Sequence, residues 1–160
     1  DTEPVDLYEL AGSCMKMLDL TAKKKEIRLV LSGKSERIQS NRKMMKQMIY
    51  NLIDNAIRYG KVGGFVWVEA SDQLIVKDNG IGIPREEQNK IFERFYRVNK
   101  DESRRKGGTG LGLAIVKEIV DLHEAKIDIS SKVDVGTTFT VTFPEERIIR
   151  NDSQGRDGKE

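Results

Sequence analysis

The chain has 160 residues, of which 28 are basic and 26 acidic, leaving a formal net charge of only +2. Because the basic residues are interleaved with acids, no extended positive field for nucleic acid develops, and a duplex-binding role is not expected. A single cysteine, Cys14, rules out an intrachain disulfide. No apolar run reaches the length of a membrane span, Asp1 to Glu9 carries no signal-peptide pattern, and the length fits one soluble domain with one core.

In chain order, Asp6 is placed to cap a helix running to about Lys24, with Leu7, Leu10, Ala11, Cys14, Met17 and Leu18 at helical spacing. Cys14 there reads as a small buried hydrophobe. Ile27 to Leu31 is a β-prone run, Gly33-Lys-Ser35 a turn, and Arg37 to Gln39 a returning strand. Asn41 caps the next helix, expected to reach Tyr59, to bury Met44 or Met45 with Met48, Ile49, Leu52, Ile53 and Ala56, and to end at Gly60. Phe65 to Ala70 and Leu74 to Lys77 form a hairpin about Ser71-Asp72 that delivers Asp78 at the end of its second strand. After Pro84 a short helix is expected, then a polar lid from Val98 to Gly107, where only one residue is apolar. A helix from Gly110 to His123 and two closing strands, Lys126 to Ser131 and Thr137 to Phe143, complete the domain at residue 144. Residues 145–160 are polar without a packing period, and a disordered tail is expected there.

Four segments carry the chemistry: Asn51-x-x-x-Asn55, Asp78-Asn-Gly-Ile-Gly82, Gly108-Thr-Gly-Leu-Gly112 and Gly136-Thr-Thr-Phe139. A lone Gly-x-Gly is weak, since glycine serves any backbone needing positive φ, but four segments of different chemistry in this order describe a nucleotide site. On a helix Asn51, Asn55 and Arg58 share one stripe, so two amides and a cation face one place. Amide oxygens suit Mg²⁺ whose other ligands are water and phosphate, and Arg58 can neutralise phosphate oxygens. Asp78 can accept from the exocyclic amine of adenine, with Gly80 and Gly82 leaving space for the base and Thr137 assisting through a water. Tyr59 either stacks on the base or ribose or faces the core. Gly108, Gly110 and Gly112 open a helix whose amides can face phosphates.

The pattern resembles the ATP-binding superfamily of gyrase, mismatch-repair ATPases and sensor histidine kinases, whose N, G1, G2 and G3 boxes these segments match. Ile91-Phe-Glu-Arg-Phe-Tyr-Arg97 resembles the F box of the histidine kinases, and the likeness covers roughly Val5 to Pro144. The resemblance implies an α/β two-layer sandwich, a mixed, mostly antiparallel sheet with helices on one face (the Bergerat fold), holding ATP and Mg²⁺. By resemblance Asn55 is the principal metal ligand and Asn51 its helper. Asn51, Asn55, Arg58 and Arg97 form the catalytic set, with Arg97 beside the terminal phosphates, while Arg94, Arg104 and Arg105 are solvated lid residues. Ile83, Thr109, Leu111 and Leu113 extend the cofactor-binding set, and Phe92 and Phe95 are placed to anchor the lid.

Hydrolysing members of the superfamily carry a water-activating glutamate where this chain has Asn51, and an amide cannot take that proton. The implied function is therefore transfer of the γ-phosphoryl to a histidine on a separate dimerisation domain of a sensor kinase, then to an aspartate of a response regulator. An anti-sigma-type serine kinase and a non-catalytic nucleotide-binding module are the alternatives. His123, the only histidine, sits in Leu122-His-Glu-Ala-Lys126 at a helix end, unlike a phosphoacceptor histidine, whose acid and Thr-Pro-like run lie on a separate dimerisation helix, and reads as a helix-terminal residue interacting with the dipole. The acceptor is then outside this chain, which is expected to be a monomeric cytoplasmic fragment of a homodimeric, membrane-anchored or soluble parent.

Overall fold

A computed structural model describes residues 1–96 and 112–150. The lid and the first four residues of the second glycine box, Gly108, Thr109, Gly110 and Leu111, lie outside these, as do Arg97 and residues 151–160.

Strand β1 (Glu3–Asp6) leads directly into helix α1 (Leu7–Met17), where Asp6 accepts the Glu9 amide at 3.1 Å as the N-cap. The helix expected to reach Lys24 is interrupted. Leu18 leaves helical dihedrals (φ −102°, ψ 7°), and α2 (Asp19–Lys24) starts after it. Leu18 and Ala22 are both buried nonetheless. Strands β2 (Arg28–Gly33) and β3 (Arg37–Ser40) follow, then α3 (Arg42–Arg58), capped by the Asn41 side chain accepting the Met44 amide at 2.9 Å. Between the two candidate methionines, Met45 is fully buried and Met44 only partly. The hairpin forms as expected from β4 (Phe65–Ala70) and β5 (Gln73–Asp78). Helix α4 (Gly112–Leu122), β6 (Lys126–Lys132), β7 (Gly136–Thr142) and the two-residue β8 (Ile148–Ile149) complete the fold.

A five-stranded mixed sheet has the order β2-β4-β5-β7-β6, with β2 parallel to β4 and every other pair antiparallel. Strict alternation in β4, β5 and β7 sends Val66, Val68, Leu74, Val76, Phe139 and Val141 into one buried layer. Helices α1, α3 and α4 bury their apolar stripes against each other and that layer. Two expectations change here. β2 and β3 do not pair with each other; β3 belongs to a separate three-stranded sheet, β1-β3-β8, in which Val5 faces Ile38. Residues 145–150, expected to be disordered, form a 3-10 turn (Glu145–Arg147) and β8, with Arg147 donating to the Gln39 carbonyl at 2.9 Å.

Lys25 closes the C-terminus of α3. Its ammonium donates to the carbonyls of Ile57, Arg58 and Gly60 at 2.9, 2.9 and 2.8 Å, satisfying helix-end acceptors with a charge of the sign the dipole favours. Lys25→Met is expected to cost about 2 kcal/mol in chemical denaturation, since charge-assisted bonds to partly buried carbonyls are lost. A loss below about 0.5 kcal/mol, the usual range for a neutral surface change, would remove this capping role.

Candidate nucleotide site

Three elements converge on Asp78. Alternation along β5 puts it on the inner face after Leu74 and Val76, where it is 6% exposed. Its Oδ1 accepts the Gly80 amide at 2.8 Å, an Asx turn that folds the first glycine box back over the strand end. On β7, Thr137 stands directly opposite Asp78 and is equally buried. Burial pushes the Asp78 carboxyl up from 3.8 to about 6, against the opposing pull of the Gly80 and Thr137 amides and the Lys25 charge. A cleft of about 870 Å³ opens here, with Asp78, Ile83, Gln88, Ser131 and Thr137 among its walls and Lys77, Arg85 and Lys132 adding positive charge.

The glycines of the first box have a packing role. A Cβ on Gly80 would lie 2.1 Å from the Tyr59 carbonyl oxygen, and one on Gly82 (φ +73°) 2.1 Å from that of Lys132. Backbone from α3's end and from the β6-β7 hairpin stands where a side chain at either glycine would begin. The Tyr59 carbonyl also accepts the Ile81 amide at 3.1 Å, and Asn79 Oδ1 accepts the Phe65 amide at 3.0 Å. Tyr59 itself is half-buried.

On α3, Asn51, Asp54, Asn55 and Arg58 are half-buried, while Leu52, Ile53, Ala56 and Ile57 are buried. Asn51 Nδ2 donates to the Gly112 carbonyl at 3.4 Å, joining the N box to the start of α4, where Leu113 is half-buried. The Asn55 amide makes no hydrogen bond among the described residues. Arg58 Nε donates to Asp54 Oδ2 at 2.8 Å, so a carboxylate shares the charge expected to neutralise phosphate oxygens. None of these residues is a wall of the cleft around Asp78.

The helix expected after Pro84 is a 3-10 turn at Arg85–Glu87 followed by successive turns. Their amides bond three residues back: Lys90 to Glu87, Glu93 to Lys90, Tyr96 to Glu93. That tighter winding buries Ile91 and sets the Phe92 ring edge-on to Phe139 at 6.2 Å. Phe95, the second expected anchor, is 65% exposed with φ +64°.

His123 is 3% exposed. Its Nε2 accepts the Asn41 amide at 3.1 Å, and its Nδ1 lies 2.8 Å from the Ile119 carbonyl in the last turn of α4. An amide must donate and a carbonyl must accept, so the neutral Nδ1–H tautomer satisfies both. Cys14 is buried, with burial pushing its thiol up to about 11.

Residues 40–147 match the family model described as histidine kinase-, DNA gyrase B- and HSP90-like ATPase. The chain belongs to that family. It is 36% identical over 155 residues to the circadian input-output histidine kinase CikA of Synechococcus elongatus, a match covering 91% of this chain and 21% of that protein. It is 43% identical over 122 residues to the sensor histidine kinase WalK of Bacillus subtilis, covering 72% of this chain and 20% of WalK. The chain therefore spans about a fifth of the length of these two relatives. A nucleotide-free catalytic domain of histidine kinase ThkA superposes with a TM-score of 0.78 at 26% identity, covering 91% of this chain and 96% of that one. The same α/β architecture is seen there, and family membership makes ATP the nucleotide.

Ser131, Gln88 and Lys25 were not singled out by the sequence. Ser131 is one of two serines in a strand, and Gln88 follows two glutamates; neither has a spacing signal. Lys25 sits in a run of three lysines that reads as solvated surface.

The raised carboxyl of Asp78 fixes the sign of a pH effect. Between pH 3.8 and about 6 the folded chain holds a proton that the unfolded chain has released. The group's contribution to stability is therefore full below 3.8 and lost as pH rises through 6. A shift of about two units corresponds to roughly 3 kcal/mol. Nucleotide-free wild type is expected to lose up to that much relative to Asp78→Asn between pH 4 and pH 7 in urea denaturation. A difference between the two proteins that does not change with pH would mean Asp78 is not desolvated.

Proposed function

We propose that this domain binds ATP with Mg²⁺ and passes the γ-phosphoryl to a histidine on a separate dimerisation and phosphoacceptor domain of a sensor histidine kinase. An aspartate of a response regulator then receives it. The observation that carries this reading is the residue at position 51. Where hydrolysis needs a carboxylate to take a proton from water, Asn51 offers an amide, and its nitrogen is already bonded to the Gly112 carbonyl. Asp54, the carboxylate next along the helix face, is paired with Arg58. Phosphoryl transfer between domains needs orientation and charge neutralisation rather than a water-activating base on this chain. The names of the relatives, histidine kinases both, support the same reaction.

Asn55 and Asn51 fit a Mg²⁺ site. The Asn55 side chain is half-buried and its amide makes no hydrogen bond among the described residues, and hard oxygen donors of this kind suit Mg²⁺. Among the described residues no group of three or more His, Cys, Asp or Glu side chains could hold a metal by itself, so phosphate oxygens and water would complete the shell. The ion would supply charge neutralisation of the phosphate oxygens. Arg58, Arg97 and the glycine box Gly108-Thr109-Gly110-Leu111-Gly112 are proposed to bind the phosphates, with Ile83 and Leu113 beside the base. Residues 1–150 are proposed as the working domain, a monomer when isolated and part of a homodimeric parent. No helix among the described residues is long and apolar enough to cross a membrane.

His123 is not the acceptor in this scheme, because both ring nitrogens are engaged and the ring is buried. Incubated with ATP and Mg²⁺, the chain is expected to release phosphate slowly and acquire no acid-labile phosphohistidine. Adding the histidine-bearing domain in trans is expected to produce the label on that domain. Labelled His123, or fast phosphate release without a partner, would overturn the proposal. Asn55→Ala is expected to weaken ATP binding in Mg²⁺ by about tenfold while changing adenosine binding little. Equal losses for the two ligands in calorimetry would take Asn55 out of the metal site.

A further inference from the structure

Ser131 lies on β6 directly opposite Thr137 on β7, and its hydroxyl has three partners. The Ile83 amide is 2.8 Å away, the Gly136 carbonyl 3.1 Å and Thr137 Oγ1 2.7 Å. A serine hydroxyl has one proton and two lone pairs. The Ile83 amide can only donate, so it takes one lone pair. The Gly136 carbonyl can only accept, so it takes the proton. One lone pair remains, and Thr137 must therefore be the donor across the shortest of the three contacts. Gln88 holds this arrangement, its Nε2 donating to the carbonyls of Ile83 at 2.9 Å and Ser131 at 3.2 Å. Loop and strand are thus pinned to each other around the Ser131 hydroxyl.

With its proton committed to Ser131, Thr137 turns only lone pairs toward the cleft. Ionised Asp78, directly across the ladder, likewise only accepts. We infer that Ser131 sets the purine preference of this domain by fixing the direction of the Thr137 hydroxyl proton, an inference resting on the reading that Asp78 and Thr137 contact the base. An acceptor-only floor fits the exocyclic amine of a 6-aminopurine. A water donating one proton to Thr137 and the other to the ring nitrogen completes that edge. A 6-oxopurine turns its carbonyl toward the same lone pairs, and no donor answers it. Without the Ser131 hydroxyl the Thr137 proton is released to rotate into the cleft. A 6-oxopurine displaced along its edge, with its ring N–H toward Asp78 and its carbonyl toward Thr137, then finds an acceptor for the one and this donor for the other. Ser131 touches no nucleotide in this scheme; it is a positioning residue acting through Thr137.

Calorimetric titration with ATP and with ITP tests this on wild type, Ser131→Ala, Ser131→Thr and Asp78→Ala. Ser131→Ala is expected to lower the ATP-to-ITP affinity ratio by about tenfold, the scale of one hydrogen bond lost and another gained. Ser131→Thr, which keeps the hydroxyl, is expected to retain the wild-type ratio. On a Thr137→Val background Ser131→Ala is expected to leave the ratio unchanged, a result that simple loosening of the hairpin would not give. Should Ser131→Ala fail to fold, Ser131→Cys, a weaker donor and acceptor of similar size, is expected to move the ratio in the same direction. An unchanged ratio in the folded alanine or cysteine variant, a relaxed ratio in Ser131→Thr, or an equal effect on the valine background overturns the inference. Asp78→Ala separates the two levels. If it leaves ATP affinity intact, the base is not held at Asp78 and both readings fall. If ATP affinity drops while the Ser131 variants keep the ratio, only the role of Ser131 is lost.

Discussion

A carboxylate buried at the end of an apolar strand imposes the arrangement around it. Leu74 and Val76 enter the core from β5, and the next inward position is Asp78 rather than a third hydrophobe. Taking a charge out of water is costly unless hydrogen bonds replace the lost hydration. Here the replacements are backbone amides, and the Gly80 amide reaches Asp78 only because the chain reverses immediately after the strand. That reversal presses the loop against the end of α3 on one side and the β6-β7 hairpin on the other. Gly80 and Gly82 are the consequence, since any Cβ there would enter a carbonyl oxygen. The same glycines that mark the site in the sequence thus serve the burial of its acid, and the cleft is what remains beside them.

Elements with a local signal were readable before the structure. Asp6 and Asn41 cap the helices they were expected to cap, because capping depends on a side-chain oxygen reaching amides two or three residues on. The β4-β5 and β6-β7 hairpins show strand alternation around short turns, and Asp78 falls at the predicted strand end. What failed depends on distant partners. Gly33-Lys-Ser35 looks like a hairpin turn between β2 and β3, yet β2 pairs in parallel with β4 and β3 pairs with β1 and β8. Parallel pairing leaves no turn signature, and a two-residue strand such as β8 leaves no pattern. The F-box segment has helical composition, but turns bonded three residues back bring Ile91 and Phe92 to the core instead.

Within the site the difference is similar in kind. Residue type and spacing singled out Asp78, Thr137 and the α3 stripe of Asn51, Asn55 and Arg58 as candidates. They did not show that Arg58 shares its charge with Asp54, although an Asp four residues before an Arg on one helix is a recognisable ion-pair spacing. Nor did they show Ser131 or Gln88, whose importance is a matter of which hydroxyl and which carbonyl lie across a gap between strand and loop. Hydrogen-bond direction, which decides what Thr137 can offer a ligand, is a property of the whole network and of no single residue.

Lys25 connects these levels. Its ammonium holds the carbonyls of Ile57, Arg58 and Gly60, and its charge also stabilises the ionised form of Asp78. Between the two lies Tyr59, whose carbonyl accepts from Ile81 and blocks a side chain at Gly80. The end of the N-box helix and the loop after Asp78 are therefore built against each other. Displacing that helix end would disturb the loop that keeps Asp78 hydrogen-bonded, so the asparagines proposed to meet the phosphates and the acid proposed to meet the base have a fixed relation before any nucleotide arrives. Preorganisation of this kind lowers the ordering cost of binding. In the proposed reaction it leaves binding energy available to position the γ-phosphoryl, the step on which a domain without a water-activating carboxylate at position 51 would rely.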